Sequence, residues 1–168
     1  APTLLALLGA PMVDAKGASG ARRRGRLLAQ DGDELAALLD AGNGPARHVV
    51  AVLFDGANTN LVADMIEAGD APNLAGLLER GTGLRHGIVS SFPTVTLPNH
   101  LSAFTGVHPG RHGVINNEFL DLDGGHVNLL DFASMVHTQR WVSPEVETVH
   151  EAVHRWRPDA FTASTYEY

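Results

Sequence analysis

Six apolar residues in succession, Val49-Val50-Ala51-Val52-Leu53-Phe54, constrain this chain more than any other stretch of it. Turn residues bound the run, with Gly44 and Pro45 before it and Asp55-Gly56 after it. A strand with one wet face alternates apolar and polar side chains. An unbroken run of this length fits instead a strand covered on both faces, as in parallel sheets. Two helical patterns follow, at residues 61–68 and 72–80, the second with Pro72 in its first turn and Gly81 past its end. Residues 83–90 read as a second strand. Strand, helix and strand in that order predict an α/β fold: a largely parallel sheet with helices on both faces and a right-handed crossover.

The segment that follows, FPTVTLPNHLSAFTGVHPGRHGVINN at residues 92–117, concentrates hydroxyls, prolines, glycines, histidines and carboxamides in a strand–turn–helix pattern. Thr96 stands before Leu97-Pro98-Asn99-His100. Proline suits a first helical turn, where its missing N–H costs nothing, so Thr96 falls at or next to an N-cap. Its hydroxyl then faces free backbone N–H groups and a partial positive charge, which favour a phosphate held over it. Two roles fit that position, a capping threonine and a nucleophile toward phosphorus. Asp55 falls at the carboxyl end of the first strand, where open α/β sheets bind ligands. Read locally, it is equally a turn or capping aspartate before Gly56. His100, His108 and His112 read as polar loop histidines that hold the Pro-Gly turn and the helix start.

Taken together, Thr96-Leu97-Pro98-Asn99-His100, Thr105-Gly106, His108-Pro109, His112-Gly113 and Asn116-Asn117, with Asp55-Gly56 placed 41 residues before Thr96, form one pattern. It resembles the nucleotide pyrophosphatase/phosphodiesterase family of the alkaline phosphatase superfamily, from Val49 to about Asn117, with weaker echoes to Tyr168. The resemblance implies hydrolysis of phosphodiester or nucleotide pyrophosphate bonds with two zinc ions, through a phosphorylated threonine that water then cleaves. It makes Asp55 a zinc ligand, Thr96 both nucleophile and ligand of the same zinc, and Asn117 a donor to a non-bridging phosphate oxygen. The implied substrate is a small-molecule phosphate ester. Leu97 stands where the family often has an aromatic, and Ala57-Asn58 where an apolar residue and arginine are common, so the substrate contacts stay open.

The family's remaining zinc ligands belong to later parts of its sequence. The resemblance therefore implies an alkaline-phosphatase-like fold incomplete in this chain: a peripheral segment at residues 1–47, then the N-terminal part of a catalytic domain at residues 48–168. Alone, these residues are expected to bring Asp55 and Thr96 together at the carboxyl edge of the sheet with Asn117 on the rim, and to be inactive. Phosphonate or phosphomonoester hydrolysis on the same scaffold, or a truncated domain that binds phosphate-bearing ligands without catalysis, are the other readings.

Composition narrows the partners. With Lys and Arg at 12 against Asp and Glu at 19, the net charge of −7 disfavours a surface that neutralises polyanions, and so disfavours nucleic-acid scaffolding. There are no cysteines, hence no disulfide and no thiolate metal site. Leu4-Leu5-Ala6-Leu7-Leu8 is too short to span a bilayer and follows no basic residue, and nothing assigns a compartment or an oligomeric state.

The remaining patterns concern structure. Residues 22–26, rich in arginine, read as a solvated loop, residues 33–39 as a helix closed by Gly42, and Asp121-Leu122-Asp123-Gly124-Gly125 as the tip of an antiparallel excursion. Ser143 and Pro144 read as N-cap and first position of a last helix with Val146, Val149, Val153 and Trp156 as its buried stripe. Inside it, His150-Glu151-Ala152-Val153-His154 matches the H-E-x-x-H zinc signature, but the histidines fall on the flank of the stripe and no third ligand follows, as in an ordinary amphipathic helix. Residues 160–164 read as a final strand with Tyr166, Glu167 and Tyr168 at its carboxyl end.

Overall fold

The structure, a computed structural model, describes residues 1–39, 44–84 and 86–165, so Gly42, Arg85 within the strand expected at 83–90, and residues 166–168, on which three of the expectations fall, lie outside it. The chain divides into two units, one made of residues 1–50 with 90–168 and the other of residues 51–89.

In the larger unit, helix α1 (Pro2–Leu7) opens with proline in its first turn. Strands β1 (Val13–Lys16) and β2 (Arg22–Gly25) form an antiparallel hairpin in the register Val13 to Gly25 and Lys16 to Arg22. Gly20, at φ +76°, closes its turn with an N–H donated to the Gly17 carbonyl at 2.9 Å. The arginines expected in a solvated loop thus lie in and after a strand, and carboxylates hold them there: Arg23 pairs with Asp33, Arg24 with Asp14 at 3.2 Å and Arg26 with Glu34 at 2.6 Å. Residues 1–47, expected at the periphery, supply core side chains: Leu5, Ala10 and Leu27 are buried against Val149, Ala152 and Val153 of α7 (Val149–Trp156). Of the helix expected at residues 33–39 only a 3₁₀ turn, Ala36–Leu38, is formed.

Helix α4 (Thr96–Thr105) joins the two main apolar clusters of this unit. Leu97 and Leu101 pack with Val114, Val127 and Leu129, while Phe104 lies against the Leu5–Leu27 cluster. The short α5 (Pro109–His112) follows, then strands β3 (Glu118–Leu120) and β4 (His126–Asn128), paired Phe119 to Val127. The Asp121 carboxylate shapes their turn by accepting the N–H groups of Asp123 at 3.0 Å and Gly125 at 2.7 Å, in the antiparallel excursion expected there. Helix α6 (Phe132–Met135) leads toward α7. The α7 start is set not by Ser143-Pro144, which make only a turn, but by Thr148, whose hydroxyl accepts the Glu151 N–H at 3.2 Å while the Glu151 carboxylate accepts the Thr148 N–H at 2.7 Å.

The smaller unit contains helices α2 (Thr59–Glu67) and α3 (Pro72–Arg80). The Asn58 side chain caps α2 by accepting the Asn60 N–H at 2.9 Å, which moves the helix start two residues ahead of the apolar pattern at Leu61. Neither helix buries a residue in this chain.

The expected parallel sheet is absent among the described residues. Residues 49–54, 83–84, 86–90 and 160–164 run without ladder partners, the two sheets present are antiparallel pairs, and parallel pairing is limited to the isolated bridge of Lys16 with Ala29. Val50, Val89 and Phe161 are accordingly 86%, 98% and 92% exposed. A strand covered on both faces takes its hydrogen bonds from neighbouring strands and its cover from crossover helices, and no such neighbours surround these runs.

Candidate functional site

The motif of residues 92–117 folds as one cluster of caps. Thr96 is the first residue of α4, with Val95 as N-cap, and its side chain is half-buried. Two of the three motif glycines end helices in the left-handed conformation: Gly106 after α4 at φ +73° and Gly113 after α5 at φ +92°. A Cβ on Gly113 would come within 2.5 Å of the Trp141 carbonyl oxygen, so the position excludes a side chain.

Asn117 reaches the start of α4. Its backbone carbonyl accepts the Leu129 N–H at 2.8 Å, extending the β3–β4 ladder, and its side-chain Oδ1 accepts the Leu97 N–H at 3.0 Å. A residue 20 positions away therefore caps the helix that begins with Thr96. With the acceptor end of the carboxamide spent on α4, the end left for an oxyanion is the Nδ2 amino group. Thr96 and Asn117 thus share one helix terminus, whose partial positive charge favours an anion.

Asn99 fastens the approach to that terminus. Its Oδ1 accepts the Ser91 N–H at 2.7 Å, and its Nδ2 donates to the carbonyls of Val95 at 2.8 Å, Pro93 at 2.9 Å and Ser91 at 3.3 Å. The Phe92–Pro93 peptide inside this loop is cis. The sequence pattern singled out Asn99 only as part of a motif; the signal that points to its role is the need of a turn for a partner to its carbonyls.

His112 is fully buried and locks α5 to α4. Its Nδ1 accepts the Val114 N–H at 3.3 Å, which leaves the proton on Nε2, 3.1 Å from the Pro98 carbonyl and 3.1 Å from Ser102 Oγ. Desolvation by burial lowers its pKa to about 4, His108 adding to the shift and the Pro98 hydrogen bond opposing it. It holds the helix start, but not as the polar loop histidine expected, since it ends α5 and is buried. On the other side of α5, the buried Asp31 carboxylate pairs with Arg111 and accepts the His108 N–H at 3.0 Å.

Asp55 lies in the smaller unit, at the turn with Gly56, which has φ +67°. Among the described residues no group of three or more His, Asp or Glu side chains could hold a metal ion. The H-E-x-x-H match serves structure instead: His150 stacks on Phe104 at 6.2 Å, Glu151 caps α7, and His154 Nε2 lies 2.9 Å from Thr162 Oγ1.

Comparison with known proteins assigns most of the chain. The family model described as type I phosphodiesterase / nucleotide pyrophosphatase matches residues 49–166. An uncharacterised pyrophosphatase/phosphodiesterase of Schizosaccharomyces pombe is 34% identical over 116 residues, covering 64% of this chain and 23% of that protein. A bis(5'-adenosyl)-triphosphatase of Mus musculus is 30% identical over 82 residues, 49% of this chain and 17% of the relative. An ectonucleotide pyrophosphatase/phosphodiesterase of Saccharomyces cerevisiae is 50% identical over 36 residues, 21% of this chain and 5% of the relative. The chain thus spans less than a quarter of the length of these curated relatives. No solved structure matches it.

Proposed function

We propose a reaction from the premise that the chain belongs to the type I phosphodiesterase / nucleotide pyrophosphatase family, whose model matches residues 49–166. The protein of which these residues form part hydrolyses phosphodiester or nucleotide pyrophosphate bonds of small-molecule phosphate esters. The observation that carries this reading is the shared helix terminus, with Thr96 opening α4 and Asn117 capping its Leu97 N–H at 3.0 Å.

Thr96 Oγ attacks phosphorus as the bond from phosphorus to the leaving oxygen breaks, and the hydroxyl proton passes through solvent to that leaving oxygen. The threonine then carries the phosphoryl group with its remaining substituent, and water cleaves that ester to regenerate the hydroxyl. Asn117 Nδ2 donates to a non-bridging oxygen as charge gathers there, and the positive end of α4 acts in the same direction.

Zinc is the metal proposed for this chemistry, and Asp55 and Thr96 are its ligands within these residues. One carboxylate and one hydroxyl are oxygen donors of a kind zinc accepts, but they are about half of a four-coordinate set, and the other donors lie outside this chain in the reading proposed here. When bound, zinc lowers the pKa of a coordinated hydroxyl and offsets negative charge on the substrate. The same reading places residues 49–54, 83–90 and 160–164 in a largely parallel α/β sheet of the longer protein. Their exposed apolar side chains support it, since such patches mark surfaces that meet a partner.

Turnover of bis(4-nitrophenyl) phosphate and 4-nitrophenyl phosphate by the full-length protein with added zinc tests the proposal. A diester preference is expected. A clear monoester preference moves the function to phosphomonoester hydrolysis on the same scaffold.

A further inference from the structure

We infer that Asn99 is a positioning residue for Thr96, an inference that rests on the nucleophile role proposed above. The loop of residues 91–95 delivers the chain to α4 with no strand ladder to hold it. Its polar backbone is gathered instead by one side chain in the first turn of that helix. The Asn99 carboxamide takes the Ser91 N–H at 2.7 Å and gives its amino group to the Val95, Pro93 and Ser91 carbonyls at 2.8, 2.9 and 3.3 Å.

The chemistry of the side chain fits partners of mixed kind, its two amino hydrogens being shared among the three carbonyls. A carboxamide both accepts and donates, which neither a carboxylate nor an ammonium can do. Val95 is the N-cap of α4 and the residue before Thr96, so the 2.8 Å bond to its carbonyl fixes the peptide that carries the Thr96 nitrogen. Asn99 also donates its own backbone N–H to the Val95 carbonyl at 3.4 Å, within the helix. Loop and helix start therefore move as one piece, and the Thr96 hydroxyl keeps a fixed place relative to the Asn117 amide that caps the next residue. Asn99 has no part in bond making; it sets the attack geometry, where a displacement on the order of 1 Å costs about 100-fold in rate.

The full-length protein, Asn99→Ala and Asn99→Asp are compared in steady-state turnover of bis(4-nitrophenyl) phosphate, in thermal midpoint and in amide hydrogen exchange over residues 91–97. Aspartate keeps the acceptor for Ser91 but sets a charged oxygen against three carbonyls, so it is the replacement for alanine should that variant not fold. The expected result in either variant is about a 100-fold fall in kcat with KM within a few-fold of wild type, and in Asn99→Ala faster exchange at the Ser91 N–H. A kcat within threefold of wild type in a folded variant overturns the inference, and so does unchanged exchange at Ser91 in Asn99→Ala. If the wild-type protein itself does not turn over the diester, the proposed function fails and the catalytic part of the inference with it, and the exchange arm then reports on the loop alone.

Discussion

His112 shows how a motif residue can be legible in type and hidden in consequence. Its spacing after His108-Pro109 marks it as part of the motif, and a role in holding the helix start could be read from that. Its complete burial between α4 and α5 could not, because burial depends on Pro98, Ser102 and Val114 arriving from different turns. The consequence is a dependence on pH. The ring is neutral in the fold, with a pKa lowered to about 4, whereas in the unfolded chain it titrates near 6.5. The unfolded state therefore binds the proton first, so the stability contributed is full above about pH 6.5 and is lost as the pH falls toward 4. We expect urea midpoints to drop more between pH 7 and pH 5 in the wild type than in His112→Gln. Equal drops would show that the buried ring does not couple folding to protons. Asn117 follows the same logic: its motif position was legible, and its bond to the Leu97 N–H was not, since the cap comes from 20 residues away.

Among the elements, the proline and glycine signals are legible in the sequence, whereas side-chain caps and non-local pairings are less so. Helix α3 runs from Pro72 to Arg80 as its proline and following glycine predict, and α2 begins at Thr59, ahead of its apolar pattern, because Asn58 caps it. Helix α7 starts after Thr148, not at the more conspicuous Ser143-Pro144, because Thr148 and Glu151 form a capping box. The arginine-rich stretch became β2 because a short hairpin places Ala15, Gly25 and Leu27 inside, a result no charge pattern announces. This hairpin is tied to the loop before α7 by Glu147, which is 8% exposed. Its carboxylate accepts the Leu28 N–H at 2.7 Å and faces Arg155 Nε at 3.0 Å and Nη2 at 2.9 Å. Removing it strands an arginine and a backbone N–H, so Glu147→Ala should cost about 2 kcal/mol in denaturant unfolding. Glu118→Ala, which breaks only the exposed contact with His126 at 3.5 Å, should stay within about 0.5 kcal/mol. Equal losses in the two variants would contradict the assigned difference.

For the molecule as a whole, the sequence told family and chemistry more clearly than it told architecture. The proposed roles of Asp55, Thr96 and Asn117 rest on residue type and spacing, whereas a parallel sheet depends on neighbouring strands, and among the described residues 49–54, 83–84, 86–90 and 160–164 have none. The candidate metal ligands meet the same limit. One carboxylate and a neutral hydroxyl do not offset the dehydration of zinc, so these 168 residues should bind it weakly in calorimetric titration, and Asp55→Asn should leave that binding unchanged. Tight stoichiometric binding abolished by Asp55→Asn would mean that local side chains complete a site. No helix among the described residues is long and apolar enough to cross a membrane.

The account turns on Thr96 as nucleophile, and trapping its adduct tests that most directly. Full-length protein turning over bis(4-nitrophenyl) phosphate is quenched in acid within the first turnovers and digested, and the peptide containing Thr96 is sequenced by mass spectrometry. The account predicts a nitrophenylphosphoryl group on Thr96, none in Thr96→Ala, a kcat at least about 1,000-fold lower in that variant, and partial activity in Thr96→Ser. A phosphoryl adduct on another residue, or a Thr96→Ala enzyme within about tenfold of wild type, would contradict it.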